Sequence, residues 1–322
     1  YKYIYNIKMC GIWGYIAKNI DLSTAYKSFN RIQHRGPDVS TFKHINNIGY
    51  IGFHRLSIIN NTIFGNQPFL NKQLNKKTYT LCNGEIYNHT NLIENNNKSD
   101  CYVIPHLYNL GFNSYELIEG EYAYSILDVN NDNSFNLQLA NDHMGIRPLF
   151  YAINSNGIGW SSEVKGLLDM FPGEYIKRFP PGHYLNIDDT FSDIVPKQYN
   201  NIEDIRASIY DYNDAIPLIE NTLTKCVDEM IMSDRPIGCL LSGGLDSSVI
   251  SALVSLKLKE SNRQLSTFSV GIENSTDEYY ARKVSEHINS KHTHFSFTTQ
   301  EFLNAIPEVI NAIESYDTTS VR

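Results

Sequence analysis

The chain has 322 residues, of which 42% are hydrophobic and 19% are charged, and its formal net charge at pH 7 is −8. This composition is typical of two globular domains and excludes a disordered or fibrous chain. An acidic chain lacks the basic stripe of a general nucleic-acid surface, so we expect no nucleic-acid partner. No apolar run approaches the roughly 20 residues of a transmembrane helix, so we expect no membrane partner.

The five cysteines lie at positions 10, 82, 101, 226 and 239, without a CxxC pair. Scattered thiols in an odd number indicate reduced cysteines, which predicts a cytoplasmic location and no zinc site. We interpret residues 1–9 as a leader and initiator region, because Met9 precedes a cysteine that has a candidate chemical role.

Short β-rich runs, separated by turn residues, fill the chain from Gly11 to about Leu185. Strands at this spacing predict antiparallel sheets, and two segments with helical apolar spacing lie between them. The predicted strands are 12–16, 50–56, 79–81, 122–128, 135–141, 149–153 and 158–161, and the predicted helices are 24–32 and 100–110. A polar, aperiodic stretch follows, so we expect a first domain at 10–200 and a linker at 201–213.

From residue 214 to residue 322 the chain alternates helical and strand patterns, which predicts a parallel, doubly wound sheet. The run Pro236–Leu241 is apolar, and we expect it to form a buried strand. The predicted helices are 215–232, 248–258, 278–288 and 302–315, and the other predicted strands are 267–272 and 292–297.

The run Ser242–Ser248 (SGGLDSS) stands between a predicted strand and a predicted helix. Glycines at such a junction let backbone N–H groups approach a ligand, and the helix N-terminus favours an anion. Asp246 can hold the Mg²⁺ that accompanies a polyphosphate. The alternative is an ordinary strand-to-helix turn with a serine cap.

Cys10 follows Met9 directly, so removal of the methionine would make Cys10 the amino terminus. Its thiol would then lie beside its own α-amine, whose pKa of about 7.7 to 8.0 suits a general base. The alternative is a small buried cysteine of the core.

These two motifs and an ordered series of others resemble the glutamine-hydrolysing asparagine synthetase family of class II glutamine amidotransferases. SGGLDSS resembles the pyrophosphate loop of ATP pyrophosphatases, and MCGIWG (9–14) resembles the start of the amidotransferases. The further segments are HRGPD (34–38), HRLSI (54–58), NGEIYNH (83–89), SD (99–100), GIRPLFY (145–151), SSE (161–163), PGHY (181–184), MSD (232–234), FSVG (268–271) and ESYD (314–317).

The resemblance implies an N-terminal α+β sandwich of the Ntn-hydrolase type, with helices outside two stacked antiparallel sheets. It implies that an incomplete α/β doubly wound ATP-pyrophosphatase domain follows. The implied activity is ATP-dependent amide transfer from glutamine to aspartate, which yields asparagine, glutamate, AMP and pyrophosphate through a cysteine thioester and a β-aspartyl-AMP intermediate.

For the glutaminase half, the resemblance implies that Cys10 attacks the side-chain amide of glutamine. The oxyanion donors would be the Asn83 side chain and the Gly84 backbone N–H. Arg55 would bind the substrate α-carboxylate, and Glu85 and Asp100 would hold its α-ammonium. Taken alone, Asn83-Gly84 is also a good hairpin turn.

For the synthetase half, the resemblance implies ATP as substrate and Mg²⁺ as cofactor, with Asp246 as the metal ligand. The implied ATP-binding residues are Leu240, Ser242, Gly243, Gly244, Asp246, Ser247, Ser248 and Val270. We expect the side chains of Leu240 and Val270 to pack in the sheet core. Thr319, Ser320 and Arg322 match a stretch that in the family lies near the phosphates and the acyl-adenylate.

The family also has a later acidic loop, SGEGSDE, and a lysine further on, and neither occurs in these residues. We therefore expect that the synthetase domain is only its N-terminal portion and that the chain is truncated. Two alternatives stay open: a product with glutaminase activity only, and a non-catalytic partner subunit. A homodimer is a further expectation.

Overall fold

A computed structural model describes residues 9–17, 21–94, 98–200, 209, 211–272 and 275–318. The contacts divide the chain into two compact units, 1–205 and 206–322, which we treat separately. Within the described residues, no helix is both long enough and apolar enough to cross a membrane.

The first unit is an α+β sandwich, as predicted. Its strands are, in chain order, β1 Gly11–Ala17, β2 Val39–Ile45, β3 Gly49–Arg55, β4 Phe69–Lys72, β5 Lys76–Ile86, β6 Gly120–Asn130, β7 Phe135–Asn141, β8 Phe150–Asn154, β9 Gly157–Ser161, β10 Lys177–Arg178, β11 His183–Asp188 and β12 Lys197–Gln198. Its α-helices are α1 Leu22–Asn30, α2 His89–Leu92, α3 Val103–Asn109 and α4 Ser114–Leu117.

Two six-stranded sheets form the layers of the sandwich, with strand orders β10-β8-β9-β1-β3-β2 and β12-β11-β7-β6-β5-β4. Neighbouring strands pair antiparallel, with Gly14 opposite Ile51 and Asn83 opposite Ala123. Alternate side chains of the two sheets, such as Ile12 and Leu137, meet in one buried core. Helix α1 covers the outer face of the first sheet and α3 and α4 cover the second.

Five strands of this unit were not predicted. Strand β2 is mostly half-buried and lies at a sheet edge, so its sequence VSTFKHI shows little apolar alternation. Strand β4 has four residues, and β10 and β12 have two each, which is too short for a pattern. Strand β11 alternates buried and exposed positions from Leu185 to Asp188, a signal that the prediction missed.

The second unit contains α5 Tyr212–Met230, β13 Gly238–Leu240, α6 Leu245–Glu260, β14 Ser266–Ile272, α7 Thr276–Ile288, β15 Lys291–Phe297 and α8 Thr299–Ile313. The sheet is parallel, in the order β13-β14-β15, as expected. A small core joins α5, α6 and α7 through Val227, Val254 and Ile288. Helix α5 begins inside the segment predicted as linker, because Asp211 caps it by accepting from the Asn213 N–H at 2.8 Å.

Candidate active site

Five of the six residues predicted for the glutaminase half line one cavity of the first unit. They are Cys10, Arg55, Gly84, Glu85 and Asp100, and they come from four separate segments of the chain. Asn83 does not line this cavity, although its neighbours on both sides do. The fold therefore brings a thiol, a guanidinium and two carboxylates to one place.

Cys10 immediately precedes β1 and packs against the core between the sheets. Its Sγ lies 3.3 Å from the backbone nitrogen of Leu56 and 3.4 Å from the carbonyl oxygen of the same residue. Burial raises the pKa of the Cys10 thiol to about 12, although the backbone contact with Leu56 opposes that shift. At neutral pH the thiol is thus protonated and needs a base to become a nucleophile.

A buried ion pair, absent from the sequence-based predictions, holds Cys10 in place. Arg35 donates from Nε to the Cys10 carbonyl oxygen at 2.8 Å and from Nη1 to Glu163 at 2.9 Å. Burial alone would raise the pKa of Glu163, but His34 and Arg35 outweigh it and lower that pKa to about 2. The matched segments HRGPD and SSE therefore meet behind the cysteine.

Arg55 is the last residue of β3, and its side chain contacts the loop that follows the strand. Its Nη1 donates to the Thr62 carbonyl oxygen and to Asn66 Oδ1, each at 2.7 Å, and its Nη2 donates to the Asn60 carbonyl oxygen. The side chain is buried, and these acceptors fix the plane of the guanidinium at the cavity wall.

The Asn83-Gly84 pair lies inside β5 and does not form the hairpin turn that its sequence also permits. Asn83 shares a face of β5 with Leu81, whose side chain belongs to the core that Cys10 contacts. Asn83 is 1% exposed, and among the described residues its Nδ2 has no hydrogen-bond partner. Gly84 allows a close approach to β6, because an added Cβ would lie 2.1 Å from the Glu121 carbonyl oxygen.

Asp100 stands in a short helical turn after β5 and is almost fully buried. It accepts from the Ile86 N–H at 2.7 Å. Burial raises its pKa, and the hydrogen bonds from Ile86 and Cys101 oppose that rise. A buried carboxylate in this position is suited to a cationic ligand.

Glu85 is paired with Arg147, which lies within a matched motif but was not predicted to have a role. Arg147 Nη2 donates to Glu85 Oε2 at 2.7 Å and to Glu121 Oε1 at 2.8 Å. Burial raises the pKa of Glu85 above its ordinary value, Arg147 lowers it, and Glu121 and Asp100 raise it further. The signal that could have found Arg147 is its place in GIRPLFY, a charged residue within an apolar segment.

The SGGLDSS run of the second unit forms a turn between β13 and α6, and Gly244 caps the helix without a side-chain bond. Gly243 has a φ of +82°, and an added Cβ would lie 2.5 Å from the Ala281 backbone nitrogen. Ser242 and Ser247 join their hydroxyls across the turn at 2.9 Å. The turn thus presents N–H groups of the first helical turn beside three serine hydroxyls.

These residues fit a magnesium-bound polyphosphate. Asp246 lies exposed in the first turn of α6, and no described group of three or more histidine, cysteine or carboxylate side chains could enclose a metal. Magnesium in nucleotide sites ordinarily takes one or two protein carboxylates together with phosphate oxygens and water, so one exposed carboxylate suffices.

Two expectations about the second sheet are wrong. Leu240 is 82% exposed and Val270 is 58% exposed, so neither side chain packs in a core. Helices α6 and α7 cover the face that carries Cys239 and Thr267, whereas Leu240 and Val270 point to the opposite face. For the same reason β13 is not a buried strand. Thr319, Ser320 and Arg322 lie outside the described residues.

Comparison with protein families gives two matches along the chain. The glutamine amidotransferase domain family matches residues 9–210, and the asparagine synthase family matches residues 218–321. The chain is 37% identical to the asparagine synthetase [glutamine-hydrolyzing] of Homo sapiens and to that of Bos taurus. Each alignment covers 98% of this chain and 61% of the relative, so the chain spans about three fifths of these curated relatives.

Two solved structures share the fold at low sequence identity. One is the structure of the allosteric regulatory enzyme of purine biosynthesis, with a TM-score of 0.53 and 14% identity, over 97% of this chain and 94% of the other. The second is the glutamine phosphoribosylpyrophosphate amidotransferase from B. subtilis, with a TM-score of 0.50, 15% identity and the same coverage. They support the sandwich architecture of the first unit.

Proposed function

Because the chain belongs to the glutamine amidotransferase domain family, we propose that it hydrolyses glutamine at Cys10 and delivers the ammonia to an ATP-dependent synthesis of asparagine from aspartate. The observation that carries this proposal is the cavity in which Cys10 lies with Arg55, Glu85 and Asp100. The curated relatives bear the name of that activity over a longer chain.

In the proposed reaction Cys10 is the amino terminus, and its free α-amine takes the proton from the thiol. Sγ bonds to the side-chain carbonyl carbon of glutamine, and the amine returns the proton to the departing nitrogen, so ammonia leaves and a thioester remains. Water then cleaves the thioester to give glutamate and the free thiol. The raised pKa of Cys10 supports the need for a base at this residue.

The tetrahedral intermediate of each step carries a negative oxygen that needs hydrogen-bond donors. We assign these donors to Asn83 Nδ2 and the Gly84 backbone N–H. Support comes from the buried amide of Asn83, whose Nδ2 no described residue accepts from, and from the position of Asn83 on the face of β5 toward the core that Cys10 contacts. Preorganised donors of this kind stabilise charge as it develops.

We assign the α-carboxylate and the α-ammonium of glutamine to side chains of opposite charge in the cavity. Arg55 provides a planar fork for the carboxylate. Asp100 and Glu85 provide acceptors for the ammonium group. The pairing of both charge types within one cavity supports an amino acid as substrate.

In the second unit, we propose that ATP binds at Ser242, Gly243, Gly244, Asp246, Ser247 and Ser248, with its adenosine beside Leu240 and Val270. The β-carboxylate of aspartate attacks the α-phosphorus and pyrophosphate leaves; ammonia then displaces AMP to give asparagine. Bound Mg²⁺ would neutralise phosphate charge. Thr319, Ser320 and Arg322 stay candidates for the adenylate, and the proposed domains stay 10–200 and 214–322.

We also propose that the protein is cytoplasmic and forms a homodimer. All five cysteines are free, which supports the cytoplasm. A homodimer is a prediction that sedimentation analysis would test. Glutaminase activity alone is the second candidate, and the cavity with Cys10, Arg55, Glu85 and Asp100 favours it, because all its lining residues lie in the first unit.

The test measures two half-reactions with the same protein, a chain that begins at Cys10. We expect glutamate and ammonia from glutamine, complete loss of that activity in Cys10→Ala, and full retention in the control Cys226→Ala, which changes an exposed thiol of the second unit. Glutamine hydrolysis at an undiminished rate in Cys10→Ala would contradict the proposal. Aspartate-dependent release of pyrophosphate from ATP separates the synthetase from the glutaminase-only alternative.

A further inference from the structure

Two carboxylates stand directly opposite each other beside the candidate glutaminase site. Glu85 of β5 pairs with Glu121 of β6 in the antiparallel register, and both side chains are largely buried. Like charges at directly opposed positions destabilise a sheet. This pair persists because one Arg147 nitrogen, Nη2, lies within 2.8 Å of both carboxylates.

Arg147 is itself fixed by the loop after β7. The carboxylate of Asp142 accepts from the backbone N–H groups of Met144 and Ile146, each at 3.0 Å, and of Arg147 at 3.2 Å. The Arg147 side chain is 10% exposed, and the residue does not line the cavity. Its Nη1 donates to Met9 Sδ at 2.6 Å, next to Cys10. Because Nη2 is held by two carboxylates, the guanidinium orients Glu85 from outside the cavity lining.

We propose that Arg147 is a positioning residue of the glutaminase site, which keeps Glu85 ionised and directed at the cavity so that Glu85 can receive the α-ammonium of glutamine. This inference rests on the proposed function. It adds to that function an arginine that orients Glu85 and a second carboxylate, Glu121, that competes with Glu85 for the same cation.

The charge balance at this place explains why the arginine is needed. Burial and the neighbouring carboxylates favour the protonated form of Glu85, and a protonated Glu85 cannot form an ion pair with an ammonium group. Arg147 favours the carboxylate. The titratable and charged groups that act on Glu85 and Arg147 include Glu121, Asp100, Tyr87 and Cys10. In a chain that begins at Cys10 the α-amine also titrates, and because every variant shares it, only differences between variants report on Glu85.

Two variants that replace a charged side chain by neutral glutamine should shift the pKa of Glu85 in opposite directions. Arg147→Gln removes the cation, so Glu85 should ionise at higher pH and KM for glutamine at pH 7 should rise by up to about tenfold. Glu121→Gln removes the competing carboxylate, so Glu85 should ionise at lower pH. We expect the midpoint of the KM–pH curve to move by about one pH unit upward in the first variant and downward in the second, with kcat changed far less.

The experiment measures kcat and KM for glutamine from pH 5 to pH 9 in a chain that begins at Cys10. Arg147→Lys keeps the charge and should restore most of the profile, and Glu85→Gln should remove the pH dependence of KM that both variants shift. Equal shifts in the same direction, or an unchanged profile in both variants, would overturn the inference while the glutaminase assignment stands. A wild-type chain without glutamine hydrolysis would overturn the proposed function and this inference with it. If Arg147→Gln does not fold, Arg147→Lys and Glu121→Gln still give the test.

Discussion

Asn83 holds an amide group in the core of the first unit, and no described residue accepts a hydrogen bond from its Nδ2. An unsatisfied buried donor costs about 1 to 3 kcal/mol, so its presence needs an explanation. A donor that is reserved for a developing oxyanion provides one, because the bond forms only when the reaction does.

We predict that Asn83→Ala lowers kcat for glutamine hydrolysis by roughly two to three orders of magnitude and changes KM little. The matched control is Thr80→Val on the same strand, which removes another buried group without a described partner. Steady-state kinetics on both variants is the measurement. Equal losses in the two variants would show that the effect comes from packing in β5, and the oxyanion role would then be wrong.

The sequence alone predicted which residues gather at the site, but it did not predict the contacts of Arg147. Six residues were expected together from their motifs, and one cavity is lined by five of them but not by Asn83. The bond of Arg147 to two carboxylates was not predictable, since it joins the loop after β7 to two neighbouring strands. Such a contact depends on strand register, which local pattern does not determine.

At the scale of elements, the turn between β13 and α6 depends on a backbone conformation that favours glycine. Gly243 has positive φ and packs against the backbone of α7 at Ala281. Gly244, one residue later, has extended backbone angles, and an added Cβ there would meet only Ser242 Oγ at 3.4 Å.

We predict that Gly243→Ala lowers the free energy of unfolding of the second unit by about 2 to 3 kcal/mol, whereas Gly244→Ala, at the N-cap of α6, lowers it by about 1 kcal/mol or less. Denaturant unfolding, followed by circular dichroism without nucleotide, measures both. A Gly243→Ala protein as stable as the Gly244→Ala protein would mean that the turn does not need its positive φ.

Sequence pattern predicted the buried elements better than the edge and exposed ones. The long, apolar strands β6 and β7 were predicted within two residues, since their alternation reflects burial in the sandwich. Strand β2 was missed because it lies at an edge and buries little. For Leu240 and Val270 the error was the reverse. Their apolar side chains were predicted to be buried in the sheet core, but the sheet face that carries them is exposed. An apolar side chain in a strand favours burial, but the sequence pattern does not show which element packs on that face of the sheet.

At the scale of the whole molecule, each unit carries the residues of one chemistry. The first unit contains the thiol, the guanidinium and the carboxylates of the proposed glutaminase site, and the second contains the turn that we propose to bind a polyphosphate. The two family matches fall on the same two parts of the chain. The proposed glutaminase mechanism requires that the amine of Cys10 is free.

The most direct test of that requirement compares two forms of the chain, one that begins at Cys10 and one that retains Met9. Intact mass identifies each form, and the release of glutamate from glutamine measures its activity. We predict hydrolysis by the first form and none by the second, because an amide nitrogen cannot take the proton of the thiol. Equal rates of glutamine hydrolysis in the two forms would contradict the proposed mechanism.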